Sequence, residues 1–353
     1  MSDEAGKPEA LTQVESDRQL CLIRVSPSGQ YLCGGTYDAQ IRCWNPAELV
    51  AEPVLRISGH HGWVQWLEFH PQEDILYSCD TWGMLAAWQL RENQAELLWQ
   101  QEQAHDGWIR SLAVSNDGSV VITGGRDGHV RLWNAADGQL LQDAIADGQE
   151  VYAVAVHPGS QEFVSADLFG VLRRWERGQE QCVSEVRLEG MHLFERDQDL
   201  GGVRQLIFAD EQTLVCSGGE PKQTGNTIAV PVIHWLSWPA LETAESLRLG
   251  DEQQGYVFDL CRYPDDQWAA VTSGQPGKGQ VMLFRRGDEE PWFRHTALTN
   301  CHSITVLADG HFVAAATNRN SQGNGAVRDK EGNYLGNTTP LQLFSPGSAA
   351  TAE

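Results

Sequence analysis

The sequence predicts an all-β fold, a seven-bladed β-propeller of four-stranded antiparallel blades. Three observations lead to this fold class. Segments 62–88, 107–133 and 150–175 align with one another, and segment 21–44 fits the same template. Each segment alternates apolar and polar residues through three runs separated by turns, and a period of two residues is typical of strands. Each also closes on Trp, and this closing aromatic recurs at the spacing of propeller blades.

The closing aromatic residue divides the chain into seven units. Consecutive closing residues lie 42 to 63 positions apart, and they are Trp44, Trp88, Trp133, Trp175, Trp238, Phe284 and Phe344. The shorter steps match the about 40–45 residues of one blade. The two long steps predict insertions in the fifth and seventh units, at 218–231 and 317–339, and the later insertion offers Tyr334 and Lys330 as anchors.

The repeats fill almost the whole chain, so we expect one domain. Residues 10–345 form the predicted propeller, and residues 1–9 and 346–353 are expected to be disordered. The last unit lacks an outer strand after its closing aromatic. Because an unpaired sheet edge invites association, segment 11–14 is predicted to supply that strand and close the last blade.

Charge and cysteine content restrict the function further. Lys plus Arg number 25 and Asp plus Glu number 48, which gives a net charge of −23. This balance argues against nucleic-acid or membrane binding, since both need basic surface, and it favours a basic protein partner. With no secretion signal and no apolar stretch near 18 residues, we expect a cytoplasmic protein. The eight cysteines form no C-x-x-C pair, so no metal or cofactor is expected.

The third unit carries short motifs beyond the strand pattern. His105 to Trp108 read His-Asp-Gly-Trp, residues 116–118 form an Asn-Asp-Gly turn, and residues 131–134 read Arg-Leu-Trp-Asn. In these motifs the chain resembles the WD40-repeat family. The resemblance implies that a His, a hydroxyl residue, an Asp and the closing Trp hold one blade together by hydrogen bonds. Those positions are His105, Thr123, Asp127 and Trp133.

The resemblance also implies a partner-binding face, bordered by the loop before the first strand of each unit and by the loop between its second and third strands. Two rings of aligned residues lie there. The first ring is Gln19, Trp63, Trp108, Glu150, Gly202, Tyr256 and Asn300. The second ring is Cys21, Gln65, Arg110, Tyr152, Arg204, Phe258 and His302.

Several of these ring residues are of the types that dominate interface hot spots. They are Trp63, Trp108, Arg110, Tyr152, Arg204 and Tyr256. For Trp63 and Trp108 two interpretations stand side by side, contact with a partner or packing as wedges onto a neighbouring blade. Truncation of both to Ala separates the two.

Two acids, Asp80 and Asp167, each lie eight residues before a closing Trp. One interpretation is structural: each carboxylate bonds to the blade His or to a loop amide. The other is functional: the pair flanks the third unit near Arg110 and Arg126 and binds a basic group of the partner, so that both acids and Arg126 join the partner-binding face.

The function predicted on these grounds is a non-catalytic scaffold that binds a protein or peptide through the loop face. The alternative is a propeller enzyme, or a protein that binds a metal or small ligand, with its site in the central channel. By register, the polar residues available for such a site are His302, Asp259 and Glu150.

Overall fold

Seven four-stranded antiparallel sheets, the blades, follow one another around a ring. The computed structural model describes residues 6–223, 228–275, 277–317 and 337–347, with the backbone of 327–328 and 334–335. Within these residues the one helix is a 3-10 turn at Pro46–Glu48. No helix in this part of the chain is long and apolar enough to cross a membrane.

The chain begins with β1 (Ala10–Ser16) and then builds three regular blades. Blade 1 comprises β2 (Leu20–Val25), β3 (Leu32–Thr36), β4 (Gln40–Trp44) and β5 (Leu55–Ser58). Blade 2 comprises β6 (Val64–Phe69), β7 (Ile75–Asp80), β8 (Leu85–Arg91) and β9 (Gln94–Gln101). Blade 3 comprises β10 (Ile109–Val114), β11 (Val120–Gly125), β12 (His129–Asn134) and β13 (Leu140–Ile145).

A two-stranded hairpin separates the fourth blade from the fifth. Blade 4 comprises β14 (Val151–Val156), β15 (Glu162–Asp167), β16 (Val171–Glu176) and β17 (Ser184–Arg187). The hairpin comprises β18 (His192–Glu195) and β19 (Gln198–Gly201). Blade 5 comprises β20 (Val203–Asp210), β21 (Thr213–Pro221), β22 (Ala229–Ser237) and β23 (Glu242–Arg248).

The last two blades complete the ring. Blade 6 comprises β24 (Tyr256–Tyr263), β25 (Gln267–Ser273), β26 (Gln280–Arg285) and β27 (Phe293–His295). Blade 7 comprises β28 (Cys301–Val306), β29 (Phe312–Ala316) and, after the short strands β30 (Val327–Arg328) and β31 (Tyr334–Leu335), β32 (Thr339–Phe344).

The N-terminal strand closes the ring. β1 pairs antiparallel with β32, with Val14 opposite Leu341 and Ser16 opposite Thr339, so it forms the outer strand of blade 7. The prediction that segment 11–14 supplies this strand is confirmed. The ends of the propeller therefore meet within one sheet, and the third strand of blade 7 is not left as an open edge.

The core lies between blades, where the closing aromatic of one blade packs on the blade before it. Trp133 packs with Tyr77 and Cys79 of blade 2, and Trp175 packs with Ile122 and Leu132 of blade 3. In blade 5 the predicted closing residue is wrong. The strand position that the closing aromatic has in other blades is Leu236, which lies opposite Leu214 within β22. Trp238 lies just beyond the end of that strand.

The first predicted insertion differs from the structure, and most of the second lies outside the described residues. Residues 218–221 and 229–231, expected to be loop, extend the strands β21 and β22. The extra length of this region lies instead largely in the hairpin β18–β19. In the later insertion, Lys330 and the side chain of Tyr334 fall outside the described residues.

Candidate partner-binding face at the channel mouth

The innermost strands of all seven blades share one irregularity. Near its start each strand has a β-bulge, and a bulge turns the extra side chain away from the regular alternation. The bulged residues are Cys21, Gln65, Arg110, Tyr152, Arg204, Phe258 and His302. All seven line one cavity of about 290 Å³ at one end of the central channel. We call this cavity the upper mouth and the face around it the upper face.

Aromatic and arginine side chains form a continuous arc around the upper mouth. We define the upper arc as Tyr37, Trp63, Trp108, Arg110, Tyr152, Arg204, Tyr256 and Phe258. On one side the ring of Trp63 lies 4.9 Å from that of Tyr37 and 5.7 Å from that of Trp108, measured between centroids. Trp63 therefore contacts the neighbouring blades, yet 43 % of it remains exposed.

The arc continues as alternating arginines and rings. The guanidinium carbon of Arg110 lies 4.3 Å from the ring centroid of Trp108 and 5.1 Å from that of Tyr152. Arg204 approaches the same Tyr152 ring at 5.9 Å and the Tyr256 ring at 4.1 Å. Because a cation over an aromatic face is attracted by the ring quadrupole, these contacts hold both arginines in place at the mouth.

Carboxylates balance only part of this positive charge. Glu150 accepts a hydrogen bond from Nη2 of Arg110 at 2.8 Å, and its other oxygen lies 3.1 Å from Nε of Arg126. Arg204 donates from Nη1 to the backbone carbonyls of Gly201 and Val203, at 3.0 and 2.9 Å. Within the described residues no carboxylate oxygen lies within 4.0 Å of the Arg204 guanidinium. Burial lowers the pKa of Arg204, and the nearby Arg110 acts in the same direction.

Deeper in the channel an ion pair joins blade 1 to blade 6. Arg24 donates to both carboxylate oxygens of Asp259, at 2.7 and 3.1 Å, and Asp259 also accepts from the Ser303 hydroxyl and the backbone of Ile304. Of the other two residues named for a channel site, Glu150 pairs with arginines at the upper arc, and His302 lines the mouth. The described residues contain no group of three or more His, Cys, Asp or Glu that could hold a metal ion.

The structure removes Asp80 from the partner-binding face. It is 0 % exposed, and its carboxylate accepts hydrogen bonds from the His60 ring and from four backbone N–H groups, including those of Gly62 and Met84. Burial would raise the pKa of Asp80, but the hydrogen bonds from His60 and Met84 hold it well below its usual range.

Burial also keeps Asp167 away from the partner-binding face. It is 1 % exposed and accepts hydrogen bonds from Arg173 at 2.6 Å and from the backbone of Phe169 and Val171. Both carboxylates are buried and hydrogen-bonded within their own blades, so neither is exposed to a partner. The geometry supports the structural interpretation of the pair.

Blades 2 and 3 share one hydrogen-bonded arrangement. In blade 3, the ring of His105 lies 2.8 Å from Oγ1 of Thr123 and 2.9 Å from the Asp127 carboxylate. The indole of Trp133 donates to the same Thr123 hydroxyl at 2.9 Å. Blade 2 repeats the set with four residues, which are His60, Ser78, Asp80 and Trp88.

Comparison with known proteins agrees with this arrangement. The family model described as "WD domain, G-beta repeat" matches residues 16–45, 51–89 and 98–134, which cover blades 1 to 3. The chain is a β-propeller with WD40 repeats in its first three blades. Its blades 4 to 7 keep the four-stranded architecture beyond the matched residues.

The relatives found by sequence comparison are distant, and each match covers only part of either protein. The human "Apoptotic protease-activating factor 1" is 26 % identical over 34 % of this chain and 10 % of its own length. "Protein HIR1" of Eremothecium gossypii is 24 % identical over 44 % of the chain and 22 % of its own length. "Target of rapamycin complex subunit wat1" of Schizosaccharomyces pombe is 30 % identical over 33 % of the chain and 37 % of its own length. The chain thus matches well under half of each relative.

The hairpin β18–β19 is a feature of the upper face that the sequence reading missed. It connects the outer strand of blade 4 to the inner strand of blade 5, and the Gly201 carbonyl at its base accepts from Arg204. Phe194 on this hairpin is 61 % exposed. Arg196 and Asp197 at its tip both have positive φ, the conformation of a two-residue hairpin turn. The short apolar alternation on either side of these two residues is the signal that could have revealed it.

Proposed function

We propose that this WD40-repeat propeller is a non-catalytic scaffold that binds a protein or peptide through its upper face. The observation that carries the proposal is the upper arc. Trp, Tyr and Arg are the residue types that dominate interface hot spots, and here they are held by one another around a cavity on a rigid scaffold. Trp63 and Tyr37 present ring area to solvent at one end of the arc, and Phe258 does so at the other.

Two further aromatic side chains extend this surface. Trp82, in the loop between the second and third strands of blade 2, is 70 % exposed, and Phe194 projects from the hairpin. The order of antiparallel strands places both on the same face as the upper mouth. The ends of β21 and β29 and the starts of β22 and β32, where blades 5 and 7 have longer connections in sequence, also lie on this face. The departures from a minimal propeller are thus concentrated where a partner would bind.

The relatives and the channel support the non-catalytic part of the proposal. One relative is by its name a subunit of the Target of rapamycin complex, which is a role in an assembly. In this chain Asp259 already accepts hydrogen bonds from Arg24, Ser303 and backbone amides, which supports a structural role for this channel acid. We propose a cytoplasmic location on the sequence grounds given above.

A capture experiment with matched variants tests the proposal. Wild type, Trp63→Ala/Trp108→Ala and the control Leu141→Ala/Ile145→Ala are immobilised and exposed to lysate of the source organism. The control removes two apolar side chains that are 54 % and 60 % exposed on the outer strand of blade 3. We expect proteins retained by wild type and by the control to be lost from the tryptophan variant. Equal retention by all three baits would contradict a role for the upper arc.

A further inference from the structure

We propose that the upper mouth binds an acidic side chain of the partner, an aspartate or glutamate within a peptide segment. The inference rests on the proposed function, because it assigns the chemistry of the group that enters the mouth. It replaces the expectation, drawn from the net charge alone, that the partner is basic.

The first argument is the local charge balance. Three arginines, at positions 110, 126 and 204, surround the mouth, and Glu150 pairs with the first two. Arg204 contacts backbone carbonyls and the side chain of Tyr256, and among the described residues no carboxylate oxygen lies within 4.0 Å of its guanidinium. A guanidinium presents a planar fork of N–H donors that matches a carboxylate at two points. A carboxylate from outside the chain would supply the missing counter-charge.

The second argument is the shape and lining of the mouth. The cavity of about 290 Å³ has room for one or two side chains. Its walls include Trp66 and Phe258, which can pack against the methylene groups of an acidic side chain, and Gln65, which adds an amide donor. Arg24 also reaches the cavity, but its guanidinium is already paired with Asp259. Arg204 is therefore the arginine available to the ligand, because Arg110, which also lines the cavity, is paired with Glu150.

The third argument concerns the distance over which charges act. The net charge of −23 is spread over the whole surface, and at physiological salt charges farther than about 8 Å are largely screened. Contacts within the mouth therefore decide which group is bound there. A Lys or Arg side chain entering the mouth would face Arg204 and Arg110 at close range, which is unfavourable for like charges.

Three probe peptides test the inference on the unmodified protein. Rhodamine-labelled hexapeptides of glutamate, glutamine and lysine are titrated with the propeller, and fluorescence anisotropy is followed at about 0.15 M salt. We expect the glutamate peptide to bind at least tenfold more tightly than the other two, although the net charge of the protein repels it. Lysine-peptide binding of equal or greater strength, or no binding of the glutamate peptide, would overturn the inference.

Two opposite variants and a control complete the test. Arg204→Gln should weaken glutamate-peptide binding at least tenfold, whereas Glu150→Gln should strengthen it severalfold by freeing Arg110 and Arg126. The strengthening cannot arise from misfolding. Arg91→Gln, which removes one exposed arginine outside the mouth, should change affinity less than twofold. Unchanged affinity in both mouth variants would contradict the role of these groups.

The failures of the two proposals are distinguishable. If captured partners are lost from Trp63→Ala/Trp108→Ala but retained fully by Arg204→Gln, the upper face is the binding surface and the acidic ligand is wrong. If partners are retained by the tryptophan variant, the proposed function fails first.

Discussion

The guanidinium carbon of Arg204 in blade 5 lies 4.1 Å from the ring centroid of Tyr256 in blade 6. The same guanidinium bonds to the carbonyl of Gly201 at the base of the hairpin. One side chain thus joins two blades, the inserted hairpin and the channel mouth. These contacts restrict the conformations open to the Arg204 side chain. The side chain is therefore preorganised and would lose little conformational entropy when it binds a ligand.

The hydrogen-bonded set of blade 3 predicts a pH dependence of stability. Burial lowers the pKa of His105, only partly offset by Asp127, so the folded ring stays neutral where an unfolded histidine, with a pKa near 6.5, takes up a proton. The unfolded state then binds more protons, and the free energy of unfolding should fall as the pH is lowered from 7 to 5. Urea denaturation at several pH values measures this slope. His105→Gln should show a lower stability but a shallower slope, and an identical slope would contradict the assignment.

Closure by the N-terminal strand predicts a large effect of truncation. Deletion of residues 1–18 removes β1 and leaves the outer edge of β32 without a neighbouring strand. It also removes Asp17, which pairs with Arg42 and Arg56. We expect a loss of about 3 kcal/mol or more, equivalent to at least about 5 °C in Tm, by thermal denaturation. Leu11→Ser, an exposed change in the same strand, serves as the control and should leave Tm within about 1 °C. A truncated protein that melts with the full chain would show that β1 does not hold the ring closed.

The buried acids predict loss of stability rather than loss of affinity. Asp80→Ala leaves four backbone donors without their acceptor, and Asp167→Ala leaves Arg173 buried without this partner. Each should lower the free energy of unfolding by about 2–4 kcal/mol, measured by chemical denaturation. Asp106→Asn, an exposed acid on the same face, is the control. If Asp80→Ala and Asp167→Ala remain as stable as wild type but lose partner binding, the functional interpretation of these acids would be restored.

The cysteines predict a difference in thiol reactivity between the folded and unfolded protein. Burial raises the pKa of Cys216 to about 12 and that of Cys301 further, so the reactive thiolate is scarce at pH 8. Of the eight cysteines, five are buried. With a disulfide reagent at pH 8 we expect at most three thiols to react within minutes in the native protein, and all eight in guanidinium chloride. Rapid reaction of four or more native thiols would show that the blades open more readily than the packing indicates.

Repeat alignment predicted the parts of the molecule that recur in every blade. The seven bulged residues were located together because each keeps its place relative to the strands of its own unit. The outer strand from the N-terminus followed from the missing strand of the last unit. These features depend on local pattern, which the sequence displays directly.

Features without a counterpart in the other repeats were missed or placed wrongly. The hairpin β18–β19 has no equivalent in another blade. In blade 5 the closing position is occupied by Leu236 rather than by an aromatic residue, so the sequence pattern pointed to the nearby Trp238 instead. The hydrogen bonds of Asp80 come from backbone amides, which the sequence does not distinguish from any others. The Arg24–Asp259 pair joins residues 235 positions apart, and only the closed ring brings them together.

The measurement that tests the central claim most directly is hydrogen–deuterium exchange on the complex with a captured partner, compared with the free protein. The account predicts protection in the segments that carry the upper arc from Trp63 to Arg204, namely 60–66, 106–111, 150–153 and 202–206, and no change in the outer strands β9 and β13. Protection confined to those outer strands, with the arc segments unchanged, would contradict the claim that the upper face binds the partner.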